Sequence, residues 1–423
     1  METWSYIGII TVIFVAFKFV KRLGKGLPIL ELMLLIAGLQ WIVGPIVEYA
    51  SPSTHWKYYM YVTEVSYMSF VVPAYLIFCL SVFLTIRKKG DFNLNLEVLK
   101  NYSSYGLVIF LIGVAFELLG SALPRSLGFL VFILLNFKFV GAIILFYSEN
   151  KKLKRVFYLA IIYLLLVAIS KALFHDFILW SMFFYMFYAL KYKPAIRTIV
   201  LTFVIGIFFA LTLQTVKAAF RMQVWNNYSG NKLELFVNLM MTSLITEETN
   251  GPESDDEIGV NVRLNQGWII SAILDNMPKN QDYLNGSTIK DAVFASVLPR
   301  FLNPNKAKAG GQENFALFTG LSISEGVSMG ISIIGEAYGN FATSGGMIFM
   351  GIWGFFLGRV WLFLIRLIRN NVLYIAFIPL IFLQVIKAET ELVVVLNHLI
   401  KSMIVVMLFF WFVKKQLRWS FNK

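Results

Sequence analysis

The chain has 423 residues, of which 58% are hydrophobic and only 14% are charged, whereas a soluble domain carries about 25% charged residues. The apolar residues form blocks of about 17–25, the length that spans a bilayer as a helix, so the composition excludes a soluble globular protein. The formal charge of +13 does not indicate nucleic-acid binding, because the basic residues stand in short clusters between the apolar blocks, as membrane orientation requires.

The apolar blocks predict an all-α polytopic integral membrane protein with about eleven transmembrane helices. In chain order they lie near 3–17, 27–49, 60–86, 104–121, 127–148, 156–172, 174–190, 197–216, 342–365, 372–387 and 395–413. The turn inside the pair 156–172 and 174–190 is very short, and reading the pair as one helix would invert the orientation of everything after it. The chain thus divides into membrane helices at 1–216, a large loop at 217–341, and membrane helices with a short tail at 342–423.

Basic residues alternate between the two sets of loops, and this alternation predicts the orientation. One set is rich in them: Lys21, Arg22, Lys25, Arg87, Lys88, Lys89, Lys151, Lys152, Lys154, Arg155, Lys191, Lys193, Arg197, Arg366, Arg369, Lys414, Lys415 and Arg418. The other set is poor, with Lys57, Arg125, Lys171 and Lys387. We therefore expect the N-terminus and the loop 217–341 outside, and the C-terminus inside.

Within the large loop, the stretches 264–278 and 287–301 show apolar residues at three- and four-residue spacing, which predicts short helices lying at the membrane surface. The acidic stretch 247–257 predicts a solvated turn, and the stretch 303–315 predicts a flexible, glycine-rich connection.

Sequence motifs for metal or nucleotide chemistry are absent. The chain contains no G-x-x-x-x-G-K-[ST] loop, no H-E-x-x-H and no D-x-D. His55, His175 and His398 are widely separated, and the single cysteine, Cys79, lies in an apolar block. We therefore expect no metal and no nucleotide cofactor, with energy supplied by an ion gradient or by an activated lipid-linked donor.

The candidate phosphate-binding residues are three spaced arginines of the loop, Arg221, Arg263 and Arg300. A guanidinium group binds phosphate through a planar, bidentate fork. The alternative is that they contact lipid headgroups or stabilise the loop.

Two groups of ionisable residues lie where the sequence re-enters the membrane. Glu325 and Glu336 belong to the segment 323–341, ISEGVSMGISIIGEAYGNF, and a carboxylate at the edge of hydrocarbon is costly unless it is paired or functional. The second group stands at the outer end of the last two helices and comprises Lys387, Glu389, Glu391 and His398. The alternatives are a capping or pairing carboxylate for the first group, and an ion-pair set with a snorkelling lysine for the second.

The run GEAYGNF at 335–341, followed by Gly345, Gly346 and Gly351, resembles a segment at the end of the large loop in bacterial O-antigen and exopolysaccharide repeat-unit polymerases of the Wzy type. The number of helices and the single large outward loop in the later half resemble the same family. The chain departs from it at Ala342, where glycine is frequent.

The resemblance implies a multi-pass enzyme of the bacterial inner membrane, with a periplasmic N-terminus and loop and a cytoplasmic C-terminus. Such enzymes transfer a growing glycan from undecaprenyl pyrophosphate to the non-reducing end of a new lipid-linked repeat unit. They need no metal or nucleotide, and a chain-length-regulating co-polymerase is an expected partner.

This chemistry requires cations for the departing pyrophosphate and a base for the acceptor hydroxyl. The candidate cations are Arg263, Arg300 and Arg221, in that order, and the candidate bases are Glu336 and then His398. The other candidate substrate-binding residues are Tyr338, Asn340, Gln266, Trp268 and Glu325. We expect single displacement with inversion at the anomeric carbon.

Two other functions fit part of the pattern. An O-antigen ligase shares the topology and the donor. A flippase or transporter usually shows repeated halves and charged residues at several mid-membrane positions, whereas the charged residues here gather at predicted helix ends and in one loop.

Overall fold

The computed structural model describes residues 2–52, 58–87, 96–172, 174–226, 228–245, 265–297, 311–323 and 328–421, and within these ranges the regular structure is helical with no strand. The first half contains α1 (Thr3–Arg22), α2 (Ile29–Ala50), α3 (Glu64–Ile86), α4 (Leu96–Leu119), α5 (Gly128–Phe146), α6 (Lys151–Lys171), α7 (His175–Tyr192) and α8 (Ile196–Trp225). The large loop contains α9 (Lys232–Ile245), α10 (Gly267–Asn276), α11 (Ser287–Val297) and α12 (Gln312–Thr319), and the chain ends with α13 (Ile333–Asn370), α14 (Tyr374–Phe382) and α15 (Leu392–Lys415).

In the described part of the chain, nine helices are long and apolar enough to cross a membrane, which confirms an all-α polytopic membrane protein. The two other predicted spans are α7 and α14. The 18 residues of α7 include His175, Asp176 and Lys191 near its ends, and these polar residues lower its hydropathy. The nine residues of α14 cover about 14 Å, less than the roughly 30 Å of hydrocarbon.

The closely spaced pair α6 and α7 forms two separate helices, as predicted. The helix α6 ends at Lys171, and Ala172 adopts a left-handed conformation with φ 53°. That residue reverses the chain before His175 begins α7.

The basic helix ends meet at one end of the bundle. Lys191 Nζ donates to Phe146 O at the end of α5 (2.8 Å), and Lys154 Nζ donates to the Tyr192 hydroxyl (2.6 Å). Lys100 of α4 forms an ion pair of 2.6 Å with Glu149, which follows α5. The ends of α5 and α7 and the starts of α4 and α6 therefore lie side by side, as the alternating basic loops predict.

The loop helices differ in where they lie. The helix α11 has one buried and one exposed side, with buried Ala292 and Ala295 and exposed Val293 and Phe294; its position at the membrane surface stays a prediction. The helix α10, in contrast, is buried in the core, because apolar residues fill nearly every position from Gly267 to Leu274 and the polar Ser271 is hydrogen-bonded. Its prediction as a surface helix is wrong.

The connection predicted as flexible at 303–315 is partly helical, since α12 begins at Gln312. Its residues 303–310 and the acidic stretch 247–257 lie outside the described residues.

The helix α13 packs tightly against α3 through glycines. A Cβ atom at Gly354 would lie 2.8 Å from Phe78 O, and one at Gly358 would lie 2.7 Å from the Thr85 side chain. Ser81 Oγ donates to Gly351 O at 2.6 Å. This contact permits only very small residues on that face of α13, and it fixes the long part of α13 that follows Ala342 against α3.

Those first turns of α13 bend away from the rest of the helix at Ala342. This residue has φ 58° and ψ −164°, a conformation that is open to glycine and costs other residues about 1–3 kcal/mol. The segment 333–341, which carries the GEAYGNF run, is thereby set apart from the long apolar part of α13.

Candidate functional site

Glu336 lies in the first turn of α13 and is 2% exposed. Its Oε1 accepts a hydrogen bond from Thr288 Oγ1 of α11 (2.8 Å), and its Oε2 accepts one from the backbone N–H of Leu392 (2.8 Å). Leu392 is the first residue of α15, so its N–H has no acceptor within that helix. A carboxylate there is also favoured by the positive end of the helix dipole. Glu336 therefore caps α15 from a neighbouring helix.

Asn340 completes this buried network. Its Nδ2 donates to Thr288 Oγ1 (2.8 Å) and to Glu336 O (2.9 Å). Glu336 and Asn340 of α13 are therefore both hydrogen-bonded to Thr288 of α11, and these bonds restrict the movement of the capping carboxylate.

Tyr338 lies between these two residues in sequence and points to another partner. Its hydroxyl is 3.3 Å from the Tyr283 hydroxyl and 3.4 Å from Met277 O. Its ring packs edge-on against Phe70, at 5.0 Å between centroids. The predicted site residues Glu336, Tyr338 and Asn340 thus lie together at the junction of α13 with the loop.

An open cavity of about 530 Å³, lined mostly by polar and ionisable residues, adjoins this network. It lies between the start of α7, the residues before α13, and the segment that joins α14 to α15. The residues lining it are His175, Asp176, Ser328, Gly330, Gln384, Lys387, Glu389, Thr390, Glu391 and Val394. Adjacent residues join the cavity to the network. Glu391 lines the cavity, and the backbone N–H of the next residue, Leu392, donates to Glu336.

Ionisable side chains face one another across the cavity. His175 Nε2 lies 3.8 Å from Glu389 Oε1, and Lys387 Nζ lies 3.5 Å from Asp176 Oδ1. The His175 side chain is 48% exposed, so a molecule in the cavity can reach it. Both pairs join the start of α7 to the α14–α15 segment, and they bring together two parts of the chain that are distant in sequence.

Glu391 faces a third element. Its Oε2 accepts a hydrogen bond of 3.0 Å from Asn314 Nδ2 of α12. The cavity wall is therefore tied to the large loop as well as to the membrane helices.

The backbone around Glu389 is held firmly. Trp41 Nε1 donates to Ala388 O (3.2 Å), and Ser332 N donates to Glu389 O (3.3 Å). A Cβ atom at Gly330 would lie 2.1 Å from Glu389 O, so only glycine allows this approach. Gln266, a predicted sugar-binding residue, donates a hydrogen bond to Gly330 O at 2.8 Å. It therefore helps to hold the backbone of Gly330 against Glu389.

The other predicted site residues that the structure describes do not line the cavity. Trp268 is buried against Tyr58 and Phe315. Arg221 Nε donates to Ala172 O (2.9 Å) at the turn before α7. His398 is buried, and its Nε2 is hydrogen-bonded to Leu380 O (2.7 Å). Three further predicted residues lie outside the described residues: Arg263, Arg300 and Glu325.

The cavity includes residues that were not among the predicted site residues, above all His175 and Asp176. One signal was present. The loops at 171–175 and 388–394 both belong to the set poor in basic residues, so the alternation of loops already placed them at the same end of the molecule.

The described part of the chain contains no group of three or more histidine, cysteine, aspartate or glutamate side chains arranged to hold a metal ion. In comparisons with protein-family models, with curated proteins and with solved structures, nothing matches this chain.

Proposed function

We propose that the protein is a membrane glycosyltransferase that polymerises undecaprenyl-pyrophosphate-linked oligosaccharide repeat units in the synthesis of a surface polysaccharide. One observation carries the proposal: the carboxylate of the GEAYGNF run, Glu336, caps the helix whose preceding residue, Glu391, lines the cavity with its ionisable residues. The motif that resembles the polymerase family thus adjoins the ionisable cavity in this structure.

The backbone at Ala342 supports the same proposal. The residue has a positive φ, and it stands where glycine is frequent in the family that the segment resembles. A positive φ is the conformation that glycine adopts most easily. This chain and that family would therefore share the same local backbone at the end of the loop.

The proposed reaction joins two lipid-linked molecules. The acceptor hydroxyl oxygen attacks the anomeric carbon of the donor glycan, and the bond from that carbon to the pyrophosphate oxygen breaks. The electron pair leaves with undecaprenyl pyrophosphate, and a base takes the hydroxyl proton. Arg263 and Arg300 remain our proposed partners of the departing pyrophosphate.

We assign Glu336 a positioning role in place of the base role that the sequence suggested. Both of its oxygens already accept hydrogen bonds, from Thr288 and from Leu392. A general base needs an oxygen within reach of the acceptor hydroxyl, whereas this carboxylate is 2% exposed and fixes the start of α15.

The proposed setting is the bacterial inner membrane, with the cavity on the periplasmic side. The basic ends of α5 to α7 lie at the opposite end of the bundle, and the positive-inside rule assigns such ends to the cytoplasm. The donor and acceptor then reach the cavity from the outer leaflet, where a chain-length-regulating co-polymerase would also act.

A deletion strain tests the proposal. Loss of a polymerase leaves single repeat units on the surface lipid, and the wild-type gene restores long chains. A surface lipid without any glycan would contradict the proposal: polymer accumulating on its carrier indicates a ligase, and the absence of glycan on the outer face indicates a flippase.

A further inference from the structure

The charge of the cavity bears on which part of the substrate enters it. Among its described lining residues, Asp176, Glu389 and Glu391 supply carboxylates, and Lys387 supplies one ammonium group, which pairs with Asp176. Lys217 on α8 is a second ammonium group that acts on His175, so the carboxylates still outnumber the ammonium groups by three to two. Like charges a few ångströms apart repel each other, so this lining disfavours a diphosphate. Carboxylates are strong acceptors for hydroxyl groups, and a sugar presents several.

We propose that this cavity binds the non-reducing terminal sugar of the acceptor, and that His175, paired with Glu389, is the catalytic base that removes the proton from its attacking hydroxyl. The proposal rests on the proposed function and adds the location of the acceptor and the identity of the base. The departing diphosphate then lies outside the cavity.

His175 has the geometry of a base. Its exposed ring faces the cavity, and Nε2 lies 3.8 Å from Glu389 Oε1. Catalytic hydrogen bonds are often this long before the substrate binds. With the proton on Nε2 directed at Glu389, the other ring nitrogen carries the lone pair that accepts the hydroxyl proton.

Glu389 has the geometry of a positioning residue. Its backbone is fixed by the contacts with Gly330 and Ser332. Its second oxygen, Oε2, is buried, and the described part of the chain gives it no hydrogen-bond partner. Its charge is therefore available to stabilise the imidazolium that forms when His175 takes the proton.

The proposed step needs no reactant besides the donor, the acceptor and water. The hydroxyl oxygen forms the new bond to the anomeric carbon, and undecaprenyl pyrophosphate leaves with the electron pair. The proton passes from the hydroxyl to His175 and then to water, so the base is regenerated for the next turnover.

The kinetic test uses the full chain in lipid nanodiscs, with lipid-linked repeat units extracted from the deletion strain. We expect His175→Ala to lower kcat by about 100-fold or more with little change in KM for the acceptor, and added imidazole to restore part of the rate. Glu389→Gln should lower kcat by about 10-fold or more. Glu149→Gln is the matched control, because Glu149 is an exposed, ion-paired carboxylate at the opposite end of the bundle.

The pH profile separates a base from a structural residue. The charged groups facing His175 are Asp176 on its own helix, Lys217 on α8, and Lys387 and Glu389 on the α14–α15 segment. The wild-type kcat/KM should fall as the pH is lowered and the imidazole becomes protonated. The His175→Ala protein should lose that acid limb, and retention of the limb would overturn the role of His175 as the base.

A cavity-filling substitution tests what binds there. Val394→Phe should raise the KM for the acceptor by about 10-fold and leave inhibition by undecaprenyl pyrophosphate unchanged. Weaker inhibition with an unchanged acceptor KM would show that the cavity holds the diphosphate, and would overturn the proposal.

The outcomes also separate this proposal from the proposed function. If the wild-type chain makes no polymer, the proposed function fails and this proposal falls with it. If the wild type makes polymer and His175→Ala has an unchanged kcat, this proposal alone is overturned.

Discussion

Glu336 Oε2 accepts a hydrogen bond of 2.8 Å from the backbone N–H of Leu392, which lies on a different helix. The contact places the carboxylate of the loop motif at the N-terminus of α15, where the helix dipole and an N–H without a helical acceptor both favour it. The cavity residue Glu391 precedes Leu392 directly. A substitution at Glu336 should therefore shift the start of α15 and, with it, the cavity residue Glu391.

The positioning role predicts different results for two substitutions of Glu336. Glu336→Gln keeps an oxygen that can accept the Leu392 hydrogen bond, so we expect activity within about 10-fold of wild type and a similar melting temperature. Glu336→Ala removes the cap and leaves buried polar groups without a partner, which should cost about 1–3 kcal/mol. Thermal unfolding and polymer synthesis measure the two effects. A Gln variant that is folded but inactive would return Glu336 to the role of base.

The strained backbone at Ala342 predicts a stabilising substitution. Ala342→Gly relieves a conformation that costs a non-glycine residue about 1–3 kcal/mol, although glycine has more freedom to lose on folding. We expect a net gain of about 1 kcal/mol, seen as a higher melting temperature. Ala337→Gly is the control. Ala337 lies in the helical turns before the bend, where glycine should destabilise by about 1 kcal/mol. Equal effects of both substitutions would show that Ala342 is not strained.

The contact between α13 and α3 predicts a strong effect at one glycine. A Cβ atom at Gly354 would lie 2.8 Å from the backbone oxygen of Phe78, which is too close for the helices to keep their separation. We expect Gly354→Ala to lower the melting temperature and the polymer yield. Gly206→Ala in α8 serves as the comparison, because a Cβ atom there meets nothing within 4 Å and alanine favours the helix. A neutral Gly354→Ala would contradict the close packing.

The proposed orientation predicts which residues an impermeant reagent can reach. A cysteine introduced by Lys279→Cys, in the large loop, should react with a membrane-impermeant maleimide added outside intact spheroplasts. One introduced by Lys152→Cys, at the basic end, should react only after the membrane is opened. The natural Cys79 is buried and gives a low background. Labelling of Lys152→Cys from outside would reverse the orientation and remove the proposed setting.

Much of the fold was predictable because it depends on the length and spacing of apolar blocks. The pair α6 and α7 could be separated in sequence by the alternation of basic loops alone. Burial was harder to predict: Trp268 stands in a stretch with helical spacing, yet α10 is buried on nearly all sides. Spacing alone does not distinguish a surface helix from a core helix of that kind.

The candidate site was predictable only in part. Glu336 was predictable as a site residue because a carboxylate at the edge of hydrocarbon needs a partner. Its actual partners, Thr288 and Leu392, are 48 and 56 residues away, so they depend on how the helices pack. The pairing of His175 with Glu389 joins residues far apart in sequence, and the alternation of loops predicted only that both lie at the same end of the molecule.

The short helix α14 has a consequence for the bilayer. It rises only about 14 Å from the basic end of the bundle, and the chain then runs without helix from Leu383 to Glu391. Lipid tails offer no hydrogen bonds, so bare peptide groups at that depth are tolerated only where protein or water meets them. Here protein supplies part of that contact, since Trp41 and Ser332 donate hydrogen bonds to Ala388 O and Glu389 O, and the cavity lined by Glu389 leaves room for water. In the proposed function, a glycan could then descend to the cavity while its polyprenyl chain stays in the surrounding lipid.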